Sequence, residues 1–297
     1  MVPAGARGLC RRPRRNHPPR YAGKRYERKV GETTDDTQQT IAGGKALLRA
    51  EADHNRIDAE LLRCRKSVHP GVRIWVFQQV GEPARLATEG DGCGAAMRVA
   101  PIGLTHPPEA VEMIAHGVIQ SSLPTHGGQF GICAAAAVAG AVAAAIEGYD
   151  TSRVLKAAVE SARLAENIRP APSTLHSRVG DSIQSISDWL ASRQILSAEE
   201  IAANYFLNEA ANIVPLAVGL ALVTESAERT SLLAVNVGGD ADSVASIRSA
   251  ITAALRPAST NESWFRVVCS INPVECDALI ELGSELAVQR VDEASGG

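Results

Sequence analysis

Aromatic residues are scarce in this chain: four Phe, four Tyr and three Trp among 297 residues. Strands draw on β-branched and aromatic side chains, so a β-sandwich is disfavoured, and the abundance of alanine points to close-packed helices instead. Cysteine is thinly spread. Cys10, Cys64, Cys93, Cys133, Cys269 and Cys276 form no CxxC pair. That spacing spells neither a zinc site nor a disulfide framework, and a reducing compartment, the cytoplasm, is expected. Long apolar runs are missing as well. The longest candidate, Ile132 to Ile146, is mostly Ala and Gly and too short for a bilayer. No membrane association is expected, and the N-terminus has no apolar stretch that reads as a signal peptide. Neither GxGxxG nor the Walker pattern occurs.

Charge is present but unevenly placed. The net formal charge is −3, yet residues 1–30 carry ten Lys/Arg against the single acid Glu27. The remainder is acidic, which argues against broad nucleic-acid binding. The first thirty residues are rich in Pro, Arg and Gly, lack apolar periodicity and cannot bury a core. They read as a separate basic, disordered arm, followed by one domain over residues 31–290 and a short polar tail over 291–297.

Helical patterns fill that domain. Helices are expected from the Thr34–Asp36 cluster through Leu48, from His106 to about Leu123 with Pro107 and Pro108 in the first turn, and over Phe130 to Gly148. Another is expected from a cap at Thr151 or Ser152 through Leu164. Two more are expected at 178–195 and 198–224, the second opened by a capping box at Ser197 and kinked or divided at Pro215. Val244 to Leu255 is amphipathic, and Trp264 to Arg290 gives one or two short helices. Arg73–Phe77 reads as a short strand or a buried helix edge. The fold class expected is all-α, a compact orthogonal multi-helix bundle.

Two short clusters carry chemistry. Gly238-Gly239-Asp240-Ala241-Asp242-Ser243 places three oxygen donors in four residues at a helix start. Far upstream, Thr34-Asp35-Asp36-Thr37-Gln38 does the same in mirrored order. Each alone can be an ordinary acidic first turn that complements the helix dipole. Together they offer four carboxylates and two hydroxyls with no His or Cys, a set suited to Mg²⁺, Mn²⁺ or Ca²⁺. Adjacent carboxylates repel unless a cation or proton lies between them, and two ions balance four carboxylates better than one. Between the clusters, Gly90-Asp91-Gly92-Cys93-Gly94-Ala95-Ala96-Met97-Arg98 is either a loop that lets backbone N–H groups approach phosphates or a tight turn entering a buried helix. His126, flanked by Gly127 and Gly128, is either a ligand-facing donor or a loop residue without special role.

Four segments in order resemble the motifs of the ADP-ribosylglycohydrolases, the family that includes dinitrogenase-reductase-activating glycohydrolase. Thr34-Asp35-Asp36-Thr37-Gln38 resembles T-D-D-T-Q. The segment Gly92 to Pro101 resembles G-x-G-A-x-M-R-x-A-P, Thr125-His126 the central T-H, and Gly238 to Ser243 the G-G-D-x-D-T turn, with Ser243 in the usual Thr position. The resemblance implies two Mg²⁺ (or Mn²⁺) ions held by Thr34, Asp35, Asp36, Asp240, Asp242 and Ser243, with Asp35 and Asp36 also catalytic. It implies that Gly92, Cys93, Gly94, Ala95, Met97 and His126 contact the substrate, an ADP-ribosylated protein or small molecule. The reaction implied is hydrolysis of the bond at ribose C1. Where such proteins carry a G-D-A-x-G-like first helix, this chain has the basic arm. That difference keeps a second reading open, a member that binds ADP-ribose without turning it over. The sequence does not decide the oligomeric state.

Overall fold

The computed structural model describes residues 31–50, 57, 60, 86–169, 178–192, 210–224, 226–237 and 240–295. The basic arm, Arg73–Phe77, Ser197 and the Gly238–Gly239 pair lie outside them. Every regular element among the described residues is a helix, so the all-α expectation holds. In order they are α1 (Asp35–Ala50), a 3₁₀ turn (Ala96–Arg98), α2 (Ala100–Thr105), α3 (Val111–Ser122), α4 (Gln129–Ile146), α5 (Thr151–Ile168), α6 (Val179–Ala191), α7 (Ala210–Val223), α8 (Ala227–Val237), α9 (Ala241–Leu255), a second 3₁₀ turn (Pro257–Ser259), α10 (Glu262–Ile271) and α11 (Pro273–Ser295).

The bundle is organised around α4. Its sequence, Gln129 to Ile146, is alanine, glycine and small aliphatic residues on every side, and nearly all of it is buried. A helix that is apolar all round belongs at the centre of a protein. It packs against α2, α3, α5, α6, α7 and α9. Small side chains let its neighbours come close. A Cβ on Gly140 would lie 2.2 Å from the Ser161 hydroxyl of α5 and 2.9 Å from the Ala157 carbonyl. Among the described helices α4 alone has the length and apolarity to cross a membrane, but its surface is spent on other helices.

Local chemistry departs from the sequence reading in several places. Pro107 and Pro108 do not open α3. They form a turn closed by Ala110 N–H donating to the Pro107 carbonyl at 3.0 Å, and the helix starts after it. Asp150 caps α5, its carboxylate accepting from Arg153 N–H at 2.8 Å; Thr151 is already helical. α7 runs unbroken through the buried Pro215. α11 is a 23-residue helix, not a short one. Arg290 on α11 donates to the carbonyls of Gly103, Leu104 and His106, which ties the C-terminal end of α2 to α11. The expectation of no disulfide is also corrected. Cys269 and Cys276 are bonded, with Cα atoms 5.4 Å apart, and the bond staples α10 to α11. A separation of seven residues across a helix corner matches no sequence framework, so only the fold reveals the pair.

Two glycine substitutions should move stability in opposite directions. Gly140→Ala forces α4 away from α5 and should cost about 1–3 kcal/mol. Gly283 of α11 has nothing within 4 Å of its Cβ position, so Gly283→Ala should gain up to about 1 kcal/mol from helix propensity. Urea denaturation of the two variants checks both signs.

Candidate metal and ligand site

Two helix starts meet at the site. α1 begins at Asp35 and carries Asp35 and Asp36 in its first turn. α9 begins after Asp240, the N-cap residue, and carries Asp242 in its first turn. Both helices are amphipathic, and burying their apolar faces against the core brings their N-terminal ends together. The positive ends of two helix dipoles then point at the same small volume, which offsets part of the carboxylate repulsion.

Asp35, Asp36 and Asp242 each present a carboxylate oxygen within 4.8 Å of the others. At that separation two ionised carboxylates repel by roughly 3 kcal/mol at an effective dielectric of about 20, and by less where solvent reaches Asp242. Asp36 is 4% exposed. Burial first, and then the charges of Asp242, Asp35 and Asp240, push its carboxyl up to about 7 against the lowering effect of a hydrogen bond from Thr34. That bond runs from Thr34 Oγ1 to Asp36 Oδ2 at 2.8 Å. The other oxygen, Oδ1, is buried with no hydrogen-bond partner. Asp240 is likewise raised, by burial foremost and by its contact with Asp242. Buried acceptors without donors are rare in folded proteins. An orphaned carboxylate oxygen inside an all-oxygen cluster fits a hard divalent cation. The donors that the sequence pairs as a metal set, Thr34, Asp35, Asp36, Asp240, Asp242 and Ser243, are therefore brought into one region by the fold.

The Gly-rich segment lies between the acidic cluster and His126. Cys93 turns towards the cluster: its buried thiol donates to Asp240 Oδ2 at 2.8 Å. Burial raises the thiol above its ordinary pKa, and the neighbouring Asp240 charge adds to the effect, so Cys93 stays protonated and serves as a donor. Met97 also packs against this side. Ser243 Oγ donates towards its sulfur at 3.6 Å, and Ser246 Oγ donates to its carbonyl at 3.2 Å. Ala95 is buried. Gly92 and Gly94 lie on the other side, under the His126 ring. A Cβ on Gly94 would fall 2.5 Å from His126 Cε1, and one on Gly92 would sit 3.6 Å from Nε2. Gly90 has φ of +109°, a conformation that favours glycine. Asp91 accepts from Gly131 N–H at 3.3 Å and so occupies the N-terminus of α4.

Three residues with no role assigned to them above join the two halves. Gln39 Nε2 donates to Asp35 Oδ2 at 3.3 Å. Arg98 NH1 donates to Gln39 Oε1 at 2.6 Å, and Arg98 NH2 donates to Thr125 Oγ1 at 2.6 Å and to the Ser121 carbonyl at 3.1 Å. Thr125 Oγ1 lies 2.7 Å from His126 Nδ1. Arg98 is 5% exposed; burial lowers its pKa only to about 10, so it remains charged at neutral pH. One sign was present in the sequence: Arg98 is a lone charge in the apolar run Ala95 to Leu104.

The fold is an all-helical bundle in which two acidic helix starts face one glycine-lined loop, with oxygen donors of the kind that suit a divalent cation. The ADP-ribosylglycohydrolase family model matches residues 4–290, and the chain belongs to that family. It is 28% identical over 245 residues to the uncharacterized protein YegU of Escherichia coli (strain K12), covering 75% of this chain and 71% of the relative. It is 27% identical over 242 residues to an uncharacterized protein of Archaeoglobus fulgidus, covering 76% of this chain and 72% of the relative. Among solved structures it resembles an ADP-ribosylglycohydrolase-related protein complex with a TM-score of 0.62 at 21% identity, covering 88% of this chain and 82% of that one.

Asp36→Asn tests the cluster without substrate. Removing one buried charge should raise the melting temperature of the metal-free protein. It should also abolish most of the further rise that millimolar Mn²⁺ gives the parent, because a ligand that binds only the folded state stabilises by mass action. Differential scanning calorimetry with and without Mn²⁺ reads both effects. Equal Mn²⁺-induced shifts in parent and variant would remove Asp36 from the metal set.

Proposed function

We propose that this protein hydrolyses the bond at ribose C1 of an ADP-ribosyl group, releasing ADP-ribose from a modified protein side chain or small molecule, with two Mg²⁺ or Mn²⁺ ions bound. The observation that carries this reading is the convergence of Asp35, Asp36 and Asp242 beside the glycine loop. When bound, the ions supply Lewis-acid chemistry: they polarise substrate oxygens and lower the pKa of water. Thr34, Asp35, Asp36, Asp240, Asp242 and Ser243 are the residues assigned to hold them.

The chain's own groups do the rest. Asp35 and Asp36 present carboxylates that can accept a proton from an attacking water, and burial raises the Asp36 carboxyl above its ordinary value. The His126 ring lies over Gly92 and Gly94 and offers Nε2 at the edge of the loop. The ribose hydroxyls belong towards the acids and the ions they would hold, and the diphosphate beside the backbone of the loop. The architecture admits either an ADP-ribosylated protein or a small conjugate as substrate.

Asp240→Asn should lower ADP-ribose release by about a hundred-fold or more while leaving helical content unchanged, the scale lost when an activated nucleophile is mispositioned. Release is measured chromatographically from arginine- and serine-linked ADP-ribosyl substrates with Mg²⁺ or Mn²⁺. Tight ADP-ribose binding without release from any substrate under either metal would replace hydrolysis with a binding role.

A further inference from the structure

The buried hydrogen bonds from Asp35 to His126 have only one fully satisfied proton arrangement. A guanidinium has donors and no acceptor, so Arg98 NH2 must donate to Thr125 Oγ1, 2.6 Å away. Thr125 is 3% exposed, and its hydroxyl has two polar neighbours among the described residues: Arg98 and, at 2.7 Å, His126 Nδ1. If Nδ1 carried the proton it would point at the same hydroxyl oxygen. The hydroxyl hydrogen would then be left in the interior without an acceptor. If Nδ1 is bare, it accepts the Thr125 hydroxyl proton, and every polar atom from Gln39 to Nδ1 is matched, which leaves Nε2–H as the donor turned towards the opening. A stranded buried donor is costly enough to bias the ring by roughly ten-fold or more. The same logic fixes the Gln39 amide. Its oxygen must face Arg98 and its nitrogen Asp35, as found at 2.6 and 3.3 Å.

We propose that Arg98 and Thr125 are positioning residues that hold His126 as the neutral ring protonated on Nε2, so that it serves as a fixed hydrogen-bond donor to a ligand seated on the Gly92–Gly94 loop and not as a proton-transfer group. The ring packs on the loop by its Cε1–Nε2 edge: the Gly94 Cβ position lies 2.5 Å from Cε1 and 2.8 Å from Nε2, and the Gly92 position 3.6 Å from Nε2, so the ligand that Nε2 meets sits at the edge of the loop beside the ring. No hydrogen bond to Nε2 is present among the described residues. His126 is 7% exposed, so a narrow opening reaches the ring. Burial and the nearby Arg98 charge both disfavour the imidazolium, which agrees with the hydrogen-bond assignment. The partner such a donor takes is a ligand oxygen with an open lone pair. That this oxygen belongs to the diphosphate or ribose of ADP-ribose rests on the function proposed above; the tautomer does not.

The test separates the two. Histidine labelled with ¹⁵N is incorporated into the full chain, and long-range ¹H–¹⁵N correlation reads the tautomer of each ring, with His126→Gln identifying the relevant signals among seven histidines. The parent should show protonated Nε2 and bare Nδ1. Thr125→Ser keeps the hydroxyl and should keep that pattern. Thr125→Val removes it and should give a mixture of tautomers or the Nδ1–H form. ADP-ribose affinity by calorimetry should fall about ten-fold in Thr125→Val and be restored in Thr125→Ser, the equivalent of about 1.4 kcal/mol. An Nδ1–H ring or an imidazolium in the parent overturns the proposal, and so does an Nε2–H ring that persists unchanged in Thr125→Val. An Nε2–H parent that binds no ADP-ribose with Mn²⁺ present overturns the nucleotide reading and leaves the positioning roles of Arg98 and Thr125 standing.

Discussion

Carboxylates that repel one another must be forced together, and the surrounding structure supplies the force. Asp35 and Asp36 are fixed by the start of α1, and Asp240 and Asp242 by the start of α9. Neither helix can withdraw without exposing its apolar face, which includes Leu47 on one and Val244, Ile247 and Ile251 on the other. Burial of a large aliphatic side chain is worth about 1.5–3 kcal/mol, so a handful of such contacts outweighs the repulsion of a few carboxylate pairs. Burial first, and then the neighbouring charges, raise the Asp36 carboxyl, and its Oδ1 has no hydrogen-bond partner. A cation bound there would relieve both. On the function proposed above, the core would thus prepare the site before any substrate arrives.

The geometry that allows this convergence begins with the small residues of α4. Because Gly140 and the run of alanines keep α4 thin, α5, α2 and α9 all reach it. The 3₁₀ turn at Ala96–Arg98 packs against α4, α1 and α9 at once. Cys93 just before this turn, and Met97 and Arg98 within it, therefore reach three different places: Asp240, Ser243 and Thr125. The segment is less a flexible phosphate cradle than a hub. Its glycines face His126, and its larger side chains lock the metal cluster to the core.

Legibility in the sequence followed the kind of signal. The fold class was readable because helical periodicity and low aromatic content act over many residues. The acidic clusters were readable because unlike donors stood at adjacent positions in each motif. Helix starts were read less well. At α3 and α5 the residues that looked like openers miss by a few positions: Pro107 lies three residues before the N-cap Ala110, and Thr151 one residue after the N-cap Asp150. The Cys269–Cys276 pair depends on how two helices meet, which no local spacing encodes. The same holds for Gln39 and Thr125. Each is a common polar residue until the fold places Arg98 between them.

Arg98 shows why the hidden residues matter. A buried guanidinium without partners is expensive, yet among the described residues no carboxylate makes an ion pair with this one. Its charge is met by dipoles: the Gln39 amide oxygen, the Ser121 carbonyl and the Thr125 hydroxyl. A direct Arg98–Asp35 ion pair would satisfy Coulomb's law more simply, but it would neutralise a carboxylate that the cluster keeps for a cation. Placing Gln39 between them solves the conflict. The amide hands the positive end of its dipole to Asp35 and the negative end to Arg98, so the acid is oriented but keeps its charge. The cation keeps its hold on Thr125 by the same arrangement. Gln39, a residue that looks like an incidental polar neighbour just after the T-D-D-T-Q stretch, separates the acidic half of the site from the histidine half while holding both in register.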